Sequence, residues 1–299
     1  MYPSSEHPAY GSFVRDQVEA LKRLPDLELE VFTFPGGSVS SYARAGLELR
    51  RRYDGRQFDV VHAHFGLTIW PTLAVRGARH VATLHGTDLS HPRSRRITLA
   101  GSRFVDLVAT VSEGLARQLP RRRRARGVAV LPCGVDTSRF HPIPRREART
   151  ALGLDLEARY LLFPSDPRRP EKRYDLARAV AGEVPLLCLR AVDPYQVPLW
   201  VNAADAVVIP SDREGFGLGV LEALACDVPV LATPVGIAPE VLENLTGAHC
   251  GPFDLQAWRA AVEDVLADPD PRLEGRARAE RFSAERMAVR VLEAWQTVV

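Results

Sequence analysis

Residues Ile209–Ala225 read IPSDREGFGLGVLEALA. A β-branched apolar run ends at Ile209, a polar loop with Gly215 and Gly217 follows, and a helical apolar pattern begins near Leu218. Such a strand–loop–helix step makes an anion site. Glycine lets the backbone approach a ligand closely, and the first free amides of the helix, with its dipole, favour negative charge. Glu214 and Glu222 suit hydroxyls rather than phosphate, because an ionised carboxylate accepts two hydrogen bonds and a sugar diol offers two. A ligand carrying both phosphates and diols is a nucleotide sugar. Either glutamate alone reads more readily as a solvated residue at a helix start. Together they are more specific.

Outward from this stretch, short β-rich runs alternate with helical patterns. The expected strands are Leu29–Thr33, Asp59–Ala63, His80–Leu84, Leu107–Val111, Val128–Leu131, Tyr160–Phe163, Leu186–Leu189, Ala206–Ile209 and Pro229–Ala232. Helical periodicity falls at Gly11–Leu24, Leu67–Gly77, Tyr174–Glu183, Leu218–Ala225, Leu255–Ala267 and Ala284–Trp295. FHPIPRREA, with Pro142 and Pro144, reads as a linker. The alternation predicts an α/β protein of two doubly wound, Rossmann-like domains with a cleft between them, residues 1–142 and 143–282, followed by a helical piece, 283–299. The chain opens in a loop and helix where such a domain opens with a strand. The expectation is a first strand missing through a mis-assigned start at Met1.

The 299 residues are 46% hydrophobic and 25% charged, an ordinary globular composition that excludes disordered and fibrous classes. Chains near ~250–300 residues tend to split into domains. No apolar run approaches the ~20 residues of a membrane span, and the opening residues lack a secretory layout, so a cytoplasmic location is expected. Cys133, Cys188, Cys226 and Cys250 lie far apart without metal-ligand spacing and read as reduced core thiols. Charge is divided unevenly: residues 1–142 hold 21 Lys/Arg against 13 Asp/Glu, a net of +8, and the remainder a net of −6. The arginines at Arg50–Arg52, Arg93, Arg95, Arg96 and Arg121–Arg124 read either as a solvated face or as a surface for an anionic partner, including the inner face of a membrane. No nucleic-acid partner is expected, since no aromatic interleaving or recognition signature accompanies them.

EGFGLGVLEALACDVPVLAT (214–233) resembles the donor-site motif of family-four glycosyltransferases of the GT-B fold, with seven residues between Glu214 and Glu222. DVVHAH (59–64), TLHGTD (83–88), VSEGL (111–115), LPCGVDTSRFHP (131–142) and PVGIAPEVL (234–242) resemble other landmarks of the family, in its order. The resemblance implies an acceptor-binding first domain, a second domain binding a nucleotide-diphosphate sugar, and a last helix crossing back to the first domain. It implies that Glu214 contacts donor-sugar hydroxyls, Glu222 holds the ribose, and the backbone at Phe216, Gly217 and Leu218 lines the donor site. In FPSDPRRPEKR (163–173) Lys172 matches the family's diphosphate-binding lysine. The arginine partner is off its usual spacing. Arg169 is assigned to it, with Arg168 as the rival.

His85, after an expected strand and before Gly86, is placed by the resemblance beside the donor's sugar and phosphates. His62 and His64 share one face of their strand and read as supporting residues or acceptor-side contacts. Gly11, in AYGSF, is the one candidate for backbone approach to the donor phosphate from the first domain. Cys133 stands where the family commonly has Asn, and Gly236–Ile237 replaces a common Gly–Gly. The interval from Lys172 to Glu214 is short for the family.

The implied reaction is hexose transfer with retention to a glycan or lipid-linked acceptor, in cell-envelope or exopolysaccharide synthesis. No metal or other cofactor takes part, and the diphosphate's departure is stabilised by cations and helix amides. The competing readings are a GT-B-type epimerase or phosphorylase, and a degenerate nucleotide-sugar binder motivated by the missing strand and the displaced arginine.

Overall fold

The computed structural model describes residues 2–3 and 10–299, so the expected opening loop falls partly outside the described residues. The chain divides into two compact units. One joins Tyr10–Cys133 to Glu285–Val299, and the other is Gly134–Ala284. The division after Cys133 lies nine residues before the sequence boundary at 142.

The first unit carries four parallel strands, β1 (Val60–His64), β2 (Arg79–Leu84), β3 (Leu107–Thr110) and β4 (Val128–Val130), in the order β1-β2-β3-β4. Val81, Ala82 and Leu84 in β2 and Val108 and Ala109 in β3 are fully buried. This explains why these strands read as continuous apolar runs, as strands covered on both faces do.

Leu29–Thr33 is not a strand, which corrects the sequence reading. The segment carries no regular secondary structure, with Leu29 and Val31 half-buried and Glu28 and Glu30 exposed. β1 is bonded only to β2, and no described strand offers a ladder partner to 29–33. Side chains hold the segment instead: Phe32 packs on Leu49, Tyr53 and Val75, and Glu30 pairs with Arg56. Leu67–Gly77 is also shorter than its periodicity suggests, a 3₁₀ turn at Gly66–Thr68 and a helix at Ile69–Thr72.

The second unit carries β5 (Leu161–Phe163), β6 (Leu186–Cys188), β7 (Ala206–Ile209), β8 (Val230–Ala232) and β9 (Ala248–Cys250), all parallel, in the order β6-β5-β7-β8-β9. β9 carries no long apolar run and is absent from the expected strands. Trp258 and Val262, on the helix Leu255–Ala267, close the core over Leu161, Phe163, Val208 and Leu231. The chain leaves β5 toward β6 on one side and returns to β7 on the other, so β5 and β7 flank a topological switch point.

Part of the expected linker is helical. Arg145–Leu152 forms a helix whose Arg145 and Arg149, one turn apart, both reach the buried Asp205 just before β7. Tyr160 N–H donates to the same carboxylate at 2.7 Å. A buried carboxylate needs such partners, because an unpaired buried charge is strongly destabilising.

Candidate functional site

Ligands of open α/β sheets bind beyond the carboxyl ends of the strands at a switch point. In the second unit the loop after β5 brings Lys172 there and the loop after β7 brings Glu214. Lys172 Nζ lies 2.5 Å from Glu214 Oε2, and Ser211 Oγ donates to Glu214 Oε1 at 2.8 Å. Both side chains of the ion pair are 11% exposed. Gly217, at φ +100°, turns the chain into the helix Leu218–Ala225. That helix approaches the β5 loop so closely that a Cβ on Gly219 would stand 3.2 Å from Pro164.

The loop after β8 clamps this arrangement. Thr233 Oγ1 donates to Ser211 O at 2.6 Å, and Ile237 N–H to Phe216 O at 2.7 Å. Gly236 sits at φ +62°, where a Cβ would stand 2.3 Å from Phe216 O and 2.9 Å from Glu214 Cβ. Only a residue without a side chain fits. Phe216 is buried and packs on Phe282, while Glu222 lies half-buried one turn into the helix.

The arginines are held elsewhere. Arg169 pairs with Glu171 at 2.7 Å, and Arg168 with Asp166 at 2.6 Å, holding that carboxyl down to about 2. Both arginines are more than half exposed. Neither pairs with Glu214. Arg173, which the sequence reading passed over, stands at φ +55° and bridges Asp175 and Asp212.

In the first unit the loops after β1 and β2 are tied together by Asp88. Its buried carboxylate accepts from His85 N–H at 2.6 Å, Gly86 N–H at 3.3 Å and Gly66 N–H at 2.9 Å. Burial raises its pKa against these amides. His62, His64 and His85 then stack in a row, with ring centroids 4.6 Å and 5.3 Å apart. His64 Nδ1 lies 3.1 Å from His85 Nε2, and Gln17 Nε2 lies 3.5 Å from His64 Nε2. His62 is bonded at both nitrogens, to Trp295 Nε1 at 3.0 Å and Thr83 Oγ1 at 2.7 Å.

Phe13 and Phe65 pack against His85, with centroids 4.8 Å and 5.0 Å away. Burial pushes His64 down to about 4, and His62 and His85 well below the ordinary imidazole range. All three are neutral at pH 7. Gly11, at φ +75°, caps the helix Ser12–Leu21 that delivers Phe13 and Gln17 to this row.

The structure brings Lys172 and Glu214 together at the switch point and stacks His85 with His64 and His64 with His62, while Gly11 caps a helix and Glu222 lies on the helix after Gly217. Gln17, Asp88, Ser211 and Trp295, which bond to His64, the His85 backbone, Glu214 and His62, are not singled out from the sequence. TLHGTD contains Asp88 and IPSDREG contains Ser211, so a local signal existed for those two. Trp295 stands 233 residues from His62, and nothing local marks it.

The arginine runs lie at the other edge of the first sheet. Arg50–Arg52 end the helix Val39–Arg52 leading into β1, and Arg121–Arg124 precede β4, so both stand at the strands' amino ends. Arg123 is buried, which removes it from the expected surface. Among the described residues no group of three His, Cys, Asp or Glu could hold a metal ion, and no helix is long and apolar enough to cross a membrane. Cys133 and Cys226 are buried thiols pushed up to about 12, and Cys188 and Cys250 lie on opposite edge strands.

Two parallel α/β units, the second with a topological switch point, are the architecture of the GT-B glycosyltransferases. Residues 8–139 match the family described as Glycosyltransferase Family 4, and residues 169–284 that described as Glycosyl transferases group 1. The chain belongs to the family-four glycosyltransferases and is a transferase enzyme.

Among its relatives is the D-inositol 3-phosphate glycosyltransferase of Pseudarthrobacter chlorophenolicus, 27% identical over 99% of this chain and 83% of that protein. The protein of the same name from Thermobispora bispora is 29% identical over 82% and 71%. A sucrose-phosphate synthase from Thermosynechococcus elongatus shares the fold at a TM-score of 0.76 and 19% identity, over 99% and 95% of the two chains. Anabaena HepE in complex with UDP and glucose follows at 0.67 and 18%, over 88% and 84%.

Proposed function

We propose that the enzyme moves a hexose-type sugar, with retention and without a metal, from a nucleotide-diphosphate sugar to a phosphorylated polyol. The carrying observation is the Lys172–Glu214 pair at the switch point, with Glu214 against Gly217, which opens the helix Leu218–Ala225. In this reading the diphosphate lies on Lys172 and the helix amides, Glu214 holds sugar hydroxyls and Glu222 the ribose. A ligand phosphate draws Arg169 or Arg168 from its neighbouring carboxylate. That exchange is inexpensive, because exposed ion pairs are worth about 0–1 kcal/mol. His85 and the backbone at Gly11 keep the donor-contact roles that the family resemblance gives them.

The acceptor class rests on the relatives named for D-inositol 3-phosphate and on the net +8 of residues 1–142. The test is sugar transfer from UDP-, ADP- and GDP-hexoses to inositol 3-phosphate in EDTA, with anomeric configuration read by NMR. Product with the donor's configuration is expected. Donor binding without transfer or hydrolysis would overturn the reading in favour of a binder.

A glycan or lipid-linked acceptor, reached by a cytoplasmic enzyme docked on an anionic membrane, is the second reading. The charge split favours it, each basic residue near such a surface contributing ~1 kcal/mol. The position of Arg50–Arg52 and Arg121–Arg124 at the amino-end edge of the sheet weighs against it, because His64 and His85 stand at the other edge. Equal flotation with neutral and anionic liposomes at low salt excludes docking.

A further inference from the structure

The three histidines of the first unit form two separate directional hydrogen-bond chains. An imidazole that is neutral carries one N–H and one lone pair, so each hydrogen bond at one nitrogen dictates what the other can do. At His62 the direction is set by Trp295, whose Nε1–H can only donate. His62 Nδ1 therefore accepts, and its Nε2–H donates to Thr83 Oγ1. His62 is closed at both ends and delivers nothing outward.

His64 and His85 form a second chain beside it. Gln17 presents its amide nitrogen to His64 Nε2, and His64 Nδ1 faces His85 Nε2. His85 Nδ1 has no hydrogen-bond partner among the described residues. Phe13 and Phe65 pack against the His85 ring, and Asp88 anchors its backbone N–H.

We propose that Gln17 and His64 are positioning residues that set the tautomer of His85. The Gln17 amide donates to His64 Nε2, His64 then donates from Nδ1 to His85 Nε2, and His85 keeps its proton on Nδ1. His85 thereby presents an N–H, not a lone pair, to its ligand. A diphosphate or a sugar oxygen requires a donor at that place, and the opposite tautomer would set a lone pair against oxygen lone pairs. A neutral imidazole donor polarises an oxygen without taking on a charge. The sense of the relay is set by the Gln17 amide, and reversing that amide's role reverses every proton in it. The ligand half of this inference rests on the proposed sugar transfer; the tautomer half does not.

The experiment is long-range ¹⁵N–¹H NMR of the imidazoles in the full-length protein at pH 8, with each ring assigned through His62→Gln, His64→Gln and His85→Gln. The expected spectrum places the protons of His64 and His85 on Nδ1, and that of His62 on Nε2. Gln17→Glu substitutes an acceptor of nearly the same shape and should move the His85 proton to Nε2. Gln17→Met removes the donor and should leave His85 as a mixture of both tautomers. A wild-type His85 proton on Nε2, or a His85 signal indifferent to both Gln17 variants, would overturn the relay.

Kinetics then test its use. Gln17→Glu should lower kcat for sugar transfer about tenfold with a change in donor KM below twofold, as expected of a bond that matters while charge develops on the leaving group. Unchanged kcat in a variant whose His85 has switched tautomer would overturn the ligand half. The expected NMR pattern in a wild-type chain with no transfer would overturn the proposed function and leave the relay standing.

Discussion

Lys172 Nζ and Glu214 Oε2 meet at 2.5 Å across 42 residues of chain, from loops that follow adjacent strands of one sheet. The ammonium that the proposal assigns to a diphosphate is neutralised by the carboxylate assigned to sugar hydroxyls. Each is held in place by the other, with Ser211 fixing the second carboxylate oxygen.

Breaking that pair should cost stability as well as function. Lys172→Met leaves Glu214 nearly buried without its cation, and loss of one partner of a buried pair costs roughly 3–5 kcal/mol. Adding Glu214→Gln should restore most of the lost thermal stability while turnover stays absent. A double variant as unstable as the single one would show that the charge is not the cause.

Glu222→Ala should weaken nucleoside diphosphate binding with little effect on the melting temperature. A hydrogen bond to a charged group is worth about 1.5–3 kcal/mol, so a loss of one to two orders of magnitude in affinity is expected by calorimetry. Unchanged affinity would remove Glu222 from the ribose.

Gly236→Ala should lower turnover more than its cost in stability suggests. Its φ of +62° is strained for alanine, and the new methyl would press on Phe216 O and the Glu214 side chain. Gly77→Ala, at φ +80° with nothing within 4 Å, carries comparable backbone strain of about 1–3 kcal/mol without the contact. Comparing thermal melts and turnover of the two variants separates strain from displacement of the β7 loop.

Acid should destabilise the first unit through its histidines. Above pH 6.5 both folded and unfolded chains hold His64 neutral. Below it the unfolded chain takes up a proton that the folded ring refuses until about pH 4. Stability therefore falls as pH falls through this window, by about 3 kcal/mol for His64 at ~1.36 kcal/mol per unit. The lowered values of His62 and His85 act in the same direction. Urea midpoints between pH 7 and pH 5 should drop steeply in the wild type and less steeply in His64→Asn.

By itself the sequence determined the α/β class, eight of the nine described strands to within a residue or two, and the strand–loop–helix step that carries Glu214 and Glu222. Strands buried on both faces must be apolar throughout, and a glycine-led helix start leaves its signature within a few residues, so both are local information. Leu29–Thr33 has a strand's composition, but a strand exists only through hydrogen bonds to a neighbour, and no described strand stands beside it. The switch point was equally invisible, because it arises from the order in which β5, β6 and β7 pair. Tertiary structure alone decided that Lys172 rather than an arginine holds Glu214, and that His64 is framed by Gln17 and His85. It also turned both arginine runs to the edge of the sheet away from the histidines. Each of these depends on which distant segments come within bonding reach, and hydrogen bonds and ion pairs act over a few ångströms of space whatever the separation along the chain.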